Sequence, residues 1–439
     1  MVTKNIVHIV HENTSTIDTL LPLLLGLKQS NNNYNITILY LKINKKQITR
    51  DDSFINRFCK KENIIQKDLK DFINPFFLII LKPFLVFSNV SYYDYISKSE
   101  FNSYKILYII KHFLYLYPSF RRKINDLVIK YFLNGKSIMQ VLSPDLIFWD
   151  HREKIKYVHK DDLYEYFKLK KIPVILLPHS PHDITDKSEF VRFGNCNNPF
   201  PEFCRYWIAF PPSKAWTLFP DRKEDFIYFG YPAFDDNWIT YCSKLVHLDY
   251  SKNSQTNIVV PLRMFTGEGI ANDPNEKFMY TYADTKLFID KVNNIISKKF
   301  NNYKIIFKPH PKTNKFWVKK IINQLDIKNC EISFDLFFGL LPSANLVITS
   351  FSTTIIMMIF YNKPTFIIDS DTQSFVQKWQ PLNKIYSKLN IVKLEELEEN
   401  IDFFQSREKL NEYPPRFRNY WKHNSVDIGV KNIERILNY

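Results

Sequence analysis

Apolar segments that end abruptly in polar residues recur along the chain, with helical patterns between them. The first runs from Asn5 to Val10 and leads into a polar turn from His11 to Ser15. A leucine-rich helical pattern from Ile17 to Leu27 and a second apolar segment from Ile36 to Leu41 follow. Strand, turn, helix and strand in this order predict a βαβ unit, and hence a parallel sheet.

Two later apolar segments of the first half end in ionisable side chains. They are SPDLIFWDHR at 143–152 and IPVILLPHSPHD at 172–183. Ligands of open parallel sheets bind at the carboxyl ends of the strands. The candidate catalytic residues of this half are therefore Asp150, His179, His182 and Asp183.

The second half repeats the same alternation of strands and helices. Predicted strands lie at 257–262, 303–311, 345–354 and 364–369, and helical patterns lie at 285–300, 314–324 and 355–362. The polar stretch from Ser243 to Asn257 separates the halves. We predict an α/β protein with two Rossmann-like, doubly wound parallel-sheet domains at 1–240 and 255–390. Residues 391–439 are predicted to be C-terminal helices that pack back towards the first domain.

The amino-acid composition limits the ways in which such a fold could bind phosphate. A chain of 439 residues with 45% hydrophobic side chains is neither disordered nor a small disulfide scaffold. With only 8 glycines, it has neither of the standard glycine-rich phosphate loops. A bound phosphate would have to be held by helix ends and side chains.

The net charge and the cysteines bear on partners and location. The formal net charge of +15 favours an anionic partner, such as a nucleotide, a membrane surface or nucleic acid. The five scattered cysteines contain no Cys-x-x-Cys pair, which argues against structural zinc and predicts free thiols in a cytoplasmic protein. The N-terminus reads as a strand, so no signal peptide is predicted.

The segment 72–133 is the most apolar and aromatic part of the chain. Pro75, Lys82, Pro83 and Lys111 interrupt every window long enough to span a membrane. Two interpretations remain: buried helices of the first domain, or an interfacial surface at 76–123 that contacts anionic lipid on the inner face of the cytoplasmic membrane.

Two motifs of the second half indicate a phosphate site. Lys308-Pro309-His310-Pro311 ends an apolar strand and offers an ammonium and an imidazole on a rigid turn. Ser350, Ser352, Thr353 and Thr354 lie between a strand and an apolar helix, where hydroxyls and helix amides bind phosphate or simply cap the helix. Arg263 follows the first strand of this half and is a further candidate for neutralising the donor.

These motifs resemble the nucleotide-binding domain of GT-B glycosyltransferases. The matching segments are KIIFKPHP, then FFGLLPSANLVITSFSTTIIMMIFYNKPTFIID, and YFGYPAFDD at 228–236. Within that superfamily they are similar to bacterial sialyltransferases, to capsule and O-antigen β-Kdo transferases, and to CDP-glycerol or ribitol phosphotransferases. The resemblance implies a GT-B arrangement with the two domains facing across a cleft. It also implies that His310, Ser352, Thr353 and Ser350 contact the donor phosphate.

The resemblance further implies a glycosyltransferase of bacterial surface-polysaccharide synthesis. Its donor would be a nucleotide sugar, with a CMP-activated acidic sugar such as Kdo favoured, and its acceptor a glycan or a lipid-linked glycan. No cofactor and no metal are expected; Asp369-Ser370-Asp371 is interpreted as a loop or a ribose contact. The alternatives are a CDP-polyol phosphotransferase, a UDP-N-acetylglucosamine 2-epimerase and, outside enzymes, a nucleic-acid-binding protein. Nucleic acid is not the expected partner, because the basic residues are spread along the chain.

In the β-Kdo transferases, an Asp and a downstream His lie on successive strand ends of the first domain. Asp150 and His179 have similar spacing. Asp150 would act as a nucleophile or a general base, with His179 as its acid/base partner. The alternative is a salt-bridged loop cluster.

Overall fold

The structure is a computed structural model. The residues that it describes form the sheets and packed helices of both predicted halves. The described residues are 3–10, 17–30, 33–41, 54–73, 135–150, 160–177, 204–208, 226–228, 230–250, 255–263, 281–310, 313, 315–333, 335–350, 354–368, 390–405 and 424–438.

The first half forms a seven-stranded sheet in which every neighbouring pair is parallel. Its strands are β1 (Lys4–Val10), β2 (Tyr34–Tyr40), β3 (Ile65–Asp68), β4 (Leu146–Asp150), β5 (Val174–Leu177), β6 (Cys204–Ile208) and β7 (Phe226–Tyr228). The order across the sheet is β3-β2-β1-β4-β5-β6-β7. The described helices of this half are α1 (Ile17–Ser30), α2 (Phe54–Lys61), α3 (Gly135–Leu142), α4 (Lys160–Lys170) and α5 (Asp236–Tyr250).

The second half forms a six-stranded parallel sheet with the same winding. Its strands are β8 (Thr256–Pro261), β9 (Tyr303–Lys308), β10 (Cys330–Ile332), β11 (Leu346–Ser350), β12 (Thr365–Ile368) and β13 (Ile391–Val392). The order is β10-β9-β8-β11-β12-β13. The described helices are α6 (Tyr282–Lys299), α7 (Lys315–Gln324), α8 (Phe337–Leu340), α9 (Thr354–Phe360), α10 (Leu397–Gln405) and α11 (Ser425–Asn438).

The two parallel sheets confirm the prediction of two doubly wound α/β units. The inner strands β1, β8 and β11 are almost wholly buried, as strands covered by helices on both faces must be, which is why they are continuous apolar runs in the sequence. The domain limits predicted at 240, 255 and 390 stay predictions. The short strand β13, however, pairs with β12 in the second sheet, beyond residue 390.

The polar stretch from Ser243 to Asn257, predicted to separate the halves, contains regular structure at both ends. α5 continues to Tyr250, and β8 begins at Thr256. The buried face of α5 carries three apolar side chains at helical spacing: Trp238, Cys242 and Leu245. This apolar stripe favours a helix although the neighbouring residues are polar.

One apolar core extends through both units. One face of the second sheet packs with α6 and α7 in a separate cluster. Val259 and Ile306 on the other face belong to the same buried cluster as the first sheet. Phe234 stacks on Phe360 with ring centroids 4.2 Å apart, which joins the end of the first unit to α9.

The last helix packs on the first. Gly26 of α1 lies so close to α11 that a Cβ there would be 2.6 Å from Val426 and 2.8 Å from Val430. Only glycine permits this approach. Ser30 adds a hydrogen bond of 3.0 Å to Glu434.

The segment 74–134 lies outside the described residues, so neither interpretation of the aromatic region is tested by the structure. Among the residues that are described, no helix has the length and apolar character that crossing a membrane requires.

Candidate functional site

Each sheet has one point at which the strand order reverses. The chain segments that follow the two strands at this point lead to opposite faces of the sheet. In the first sheet this point lies between β1 and β4, and in the second between β8 and β11. Such points are where open α/β sheets bind ligands. Asp150 ends β4, and Ser350 ends β11, so both predicted strand-end residues lie at these points.

In the second unit, Lys308 ends β9, the strand next to β8. Only 9% of the residue is exposed, and its Nζ donates to the Pro309 carbonyl at 3.2 Å. The Leu262 amide donates to the Lys308 carbonyl at 2.8 Å, which fixes the two strand ends side by side. The sheet thus holds an ammonium group at its carboxyl edge.

Thr313 closes the turn that carries His310. Its amide donates to the His310 carbonyl at 2.8 Å, and its hydroxyl donates to the Arg263 carbonyl at 3.5 Å. Thr313 is buried, whereas the His310 side chain is exposed and Arg263 is partly buried. The sequence analysis missed Thr313; its signal was Pro311 at the second position of a four-residue turn.

The hydroxyl cluster begins at the end of β11. Ser350 is fully buried, and its Oγ has no hydrogen-bond partner among the described residues. The Thr349 hydroxyl donates to the Ser350 carbonyl at 2.9 Å, and partly buried Thr354 begins α9. Ser352 and Thr353 lie outside the described residues.

Strand register places these residues along one edge. Pro261 is opposite Lys308, Val347 is opposite Val259, and Ser350 is opposite Ile368. Of the seven predicted donor-binding residues, the structure therefore brings five to this edge: Arg263, Lys308, His310, Ser350 and Thr354. A cationic group, an exposed imidazole and a buried hydroxyl together suit an anionic oxygen ligand.

In the first unit, the structure gives the backbone position of Asp150. It lies opposite Leu177, the last residue of β5, and its neighbour Trp149 lies opposite Ile9 of β1. His179, His182 and Asp183 follow β5 but lie outside the described residues. Their predicted convergence with Asp150 stays a prediction.

Asp335 was missed by the sequence analysis, and it joins the two units. One carboxylate oxygen accepts from the Phe54 amide of α2 at 2.7 Å, and the other is 3.5 Å from the Arg57 guanidinium. Burial raises the pKa of Asp335, opposed by hydrogen bonds from the Phe54 and Leu336 amides and by the charges of Arg57 and Lys308. In the sequence, Asp335 comes just before the apolar run LFFGLL, a pattern that is typical of a helix start.

The contact of Asp335 with Phe54 and Arg57 fixes the second unit against α2 of the first. α2 begins after the carboxyl end of β2, and Asp335 follows the carboxyl end of β10. Asp335 therefore links α2 of the first unit to the segment that follows β10 in the second.

Metal ligands were not expected in this protein. Within the described part of the chain, no group of three or more His, Cys, Asp or Glu side chains is placed to hold a metal ion.

Comparison with known proteins gives matches among solved structures. No model of a known protein family matches the chain, and no curated protein matches it. A UDP-N-acetylglucosamine 2-epimerase aligns with 100% of this chain and 96% of its own, with a TM-score of 0.52 at 10% identity. A variant of the wall teichoic acid polymerase TagF aligns with 100% of this chain and 90% of its own, with a TM-score of 0.52 at 11% identity.

At such identities the likeness concerns the fold alone. Together with the two parallel sheets and their strand orders, it shows that this chain has the GT-B fold, with two Rossmann-like parallel-sheet domains.

Proposed function

We propose that this protein is a glycosyltransferase that binds the phosphate of a nucleotide-sugar donor at the carboxyl edge of the second sheet. The observation that supports the proposal is that Lys308, His310 and the buried Ser350 hydroxyl lie along one carboxyl edge, at the ends of strands β9 and β11 that flank β8. Arg263 and Thr354 lie at the same edge, and we include Ser352 and Thr353 because they connect Ser350 to Thr354 in the sequence.

Chemistry on the donor would come from the first unit. A donor held by the second sheet would present its anomeric carbon to groups of the first unit, which contacts the second unit at Asp335. Asp150 is our candidate nucleophile or base, with His179 as its acid/base partner and His182 and Asp183 as the next candidates.

For the donor we propose a CMP-activated acidic sugar, such as Kdo or another ulosonic acid. Support comes from the sequence: the His-Pro motif at His310 followed by the Ser/Thr motif at 350–354 resembles transferases that use cytidine nucleotides. Arg263 is suited to the extra carboxylate of such a sugar. The acceptor would be a glycan or a lipid-linked glycan of the cell surface.

A screen of CMP, CDP, UDP and GDP by thermal shift tests the donor. A nucleotide at about 100 times its dissociation constant that binds only the folded protein adds roughly 2.7 kcal/mol of stability. We expect the largest shift with CMP. A shift with UDP alone would contradict the cytidine assignment.

Two neighbouring activities, expected from the sequence resemblance, remain as alternatives, and a solved structure named UDP-N-acetylglucosamine 2-epimerase shares the fold. An epimerase would convert UDP-N-acetylglucosamine without any acceptor. A polyol phosphotransferase would release CMP from CDP-glycerol or CDP-ribitol and lengthen a polyol phosphate chain. Product analysis with each donor, with and without acceptor, separates both from transfer of a sugar.

We also propose that the protein works at the cytoplasmic face of the membrane. The net charge of +15 and the aromatic, basic segment 76–123 support this. Sedimentation with anionic vesicles should be strong at low salt and weaker at high salt. Protein that stays in the supernatant with every vesicle composition would contradict the proposal.

A further inference from the structure

The Asp335 carboxylate makes polar contacts between two units that also share an apolar core. It follows the carboxyl end of β10, and it is mostly buried, with 15% of its side chain exposed. Two of its partners, the Phe54 amide and the Arg57 guanidinium, belong to α2 of the first unit.

The contact satisfies a backbone group that α2 cannot satisfy itself. Phe54 is the first residue of α2, and the first amides of a helix have no acceptor within that helix. The second unit supplies the acceptor at 2.7 Å. A carboxylate there also interacts favourably with the positive end of the helix dipole.

The surrounding packing makes this docking specific. The Phe54 ring packs edge-on against Phe338 at 5.1 Å and Trp238 at 5.9 Å between centroids. A Cβ on Gly339 would lie 3.0 Å from the Phe54 ring, so the absence of a side chain at that residue of α8 allows the close approach.

The same carboxylate lies beside the candidate donor site. Ile332 of β10 is opposite Phe307 of β9, and the Ser333 amide donates to the Phe307 carbonyl at 2.9 Å. Lys308 is the next residue of β9, so Asp335 follows directly past the strand end adjacent to Lys308. Their charges interact, since Lys308 lowers the pKa of Asp335 against the effect of burial.

We propose that Asp335 is a positioning residue that docks α2 on the second unit and sets the charge balance around Lys308. The proposal rests on the proposed function, because it assigns Lys308 to the donor phosphate. Donor binding and the contact between the units then share one carboxylate, and a change in either alters the other.

Two substitutions separate the effect of the Asp335 charge on the donor site from its effect on docking. If the charge matters, the two variants should change nucleotide affinity in opposite directions. Asp335→Asn keeps the size and an acceptor oxygen but removes a negative charge near the site, so CMP and CDP should bind about three- to tenfold tighter. Arg57→Gln leaves that negative charge less neutralised, so the same nucleotides should bind about three- to tenfold more weakly.

Hydrogen exchange of α2 without nucleotide reports the docking directly. Peptides that span residues 54–61 should exchange about tenfold faster in both variants, because each loses a charged partner across the contact. Glu331→Gln is the matched control: Glu331 lies on β10 and pairs with half-buried Lys304 at 2.6 Å, so neither α2 exchange nor nucleotide affinity should change.

The outcomes distinguish this proposal from the proposed function. Affinities that fall in both variants, or change in neither, would overturn the charge role, because a purely structural contact moves both in the same direction. Unchanged α2 exchange with normal nucleotide binding would overturn the docking role alone. A wild-type protein that binds no nucleotide would contradict the proposed function, and the charge role with it.

Discussion

At the scale of single residues, the buried hydroxyl of Ser350 is the strongest mark of a ligand site. Burying a hydroxyl without a hydrogen-bond partner costs about 1–3 kcal/mol. Ser350 bears this cost at the end of β11, beside the strand-order reversal. One strand, β8, separates β11 from β9, which carries Lys308. A ligand oxygen at this edge would satisfy the hydroxyl.

The variant Ser350→Ala should therefore lose affinity without losing stability. We expect nucleotide binding to weaken about three- to tenfold, the value of one neutral hydrogen bond, while the free energy of unfolding stays constant or rises slightly. Titration calorimetry and urea unfolding measure the two quantities. A stability loss above about 1 kcal/mol would show that the hydroxyl is structural.

Thr349→Val is the matched control for that variant. The Thr349 hydroxyl donates to the Ser350 carbonyl in the same strand end. Its removal should lower stability by about 1 kcal/mol and leave nucleotide affinity unchanged.

Asp150 is the residue on which the proposed chemistry depends. Asp150→Asn keeps the shape and removes the charge, so turnover should be abolished while nucleotide affinity stays nearly constant, the pattern of an interaction made in the transition state. Steady-state kinetics with the donor found in the nucleotide screen measure this. A nucleophile would also give a trappable glycosyl adduct, and near-normal turnover would move the assignment to His182 and Asp183.

At the scale of elements, one carboxylate caps two helices. Asp235 accepts from the Asn237 amide at 3.0 Å at the start of α5, and from the Val426 amide at 3.1 Å at the start of α11. Burial is the largest cause of its raised pKa, and the backbone hydrogen bonds oppose that rise.

Asp235→Ala should lower the free energy of unfolding by about 2 kcal/mol, because two caps of about 1 kcal/mol each are lost together. Urea unfolding measures the loss. Lys431→Ala, on the exposed side of α11, is the control and should stay within about 0.5 kcal/mol of the wild type. A loss below 1 kcal/mol in Asp235→Ala would contradict the double-cap interpretation.

The pH dependence has a defined sign. A carboxyl whose pKa is raised by folding contributes stability that is present below its unfolded pKa and is lost as pH rises through the folded pKa. The stability of the wild type relative to Asp235→Asn should therefore rise as pH falls from neutrality towards the ordinary pKa of 3.8.

Elements were predictable where their pattern was long and their burial was complete. β1, α1, β9 and α6 lie close to the predicted positions, because two-sided burial or a helical apolar stripe decides their conformation. Short edge strands were missed: IQKD of β3 contains two charged residues, and their backbone pairing with β2 decides the conformation.

At the scale of the whole molecule, the two units share one winding, and Asp335 of the second contacts α2 of the first. The sequence predicted the winding because strands and helices alternate. Contacts between the units could not be predicted, since Asp335 and Phe54 are 281 positions apart and a helix-start pattern at Asp335 does not show which element it contacts. The candidate donor residues could be singled out because they lie at or after the ends of apolar strands, whereas Thr313 lies in a turn and contacts the carbonyls of His310 and Arg263.

The central claim is that the second unit binds a donor nucleotide through the turn after β9. Titration calorimetry of His310→Ala against the wild type tests it most directly, because His310 is exposed and its removal should leave the fold intact. A charge-assisted contact contributes about 1.5–3 kcal/mol, so the variant should bind the preferred nucleotide roughly ten- to a hundredfold more weakly. Unchanged affinity in a folded His310→Ala protein would contradict the claim.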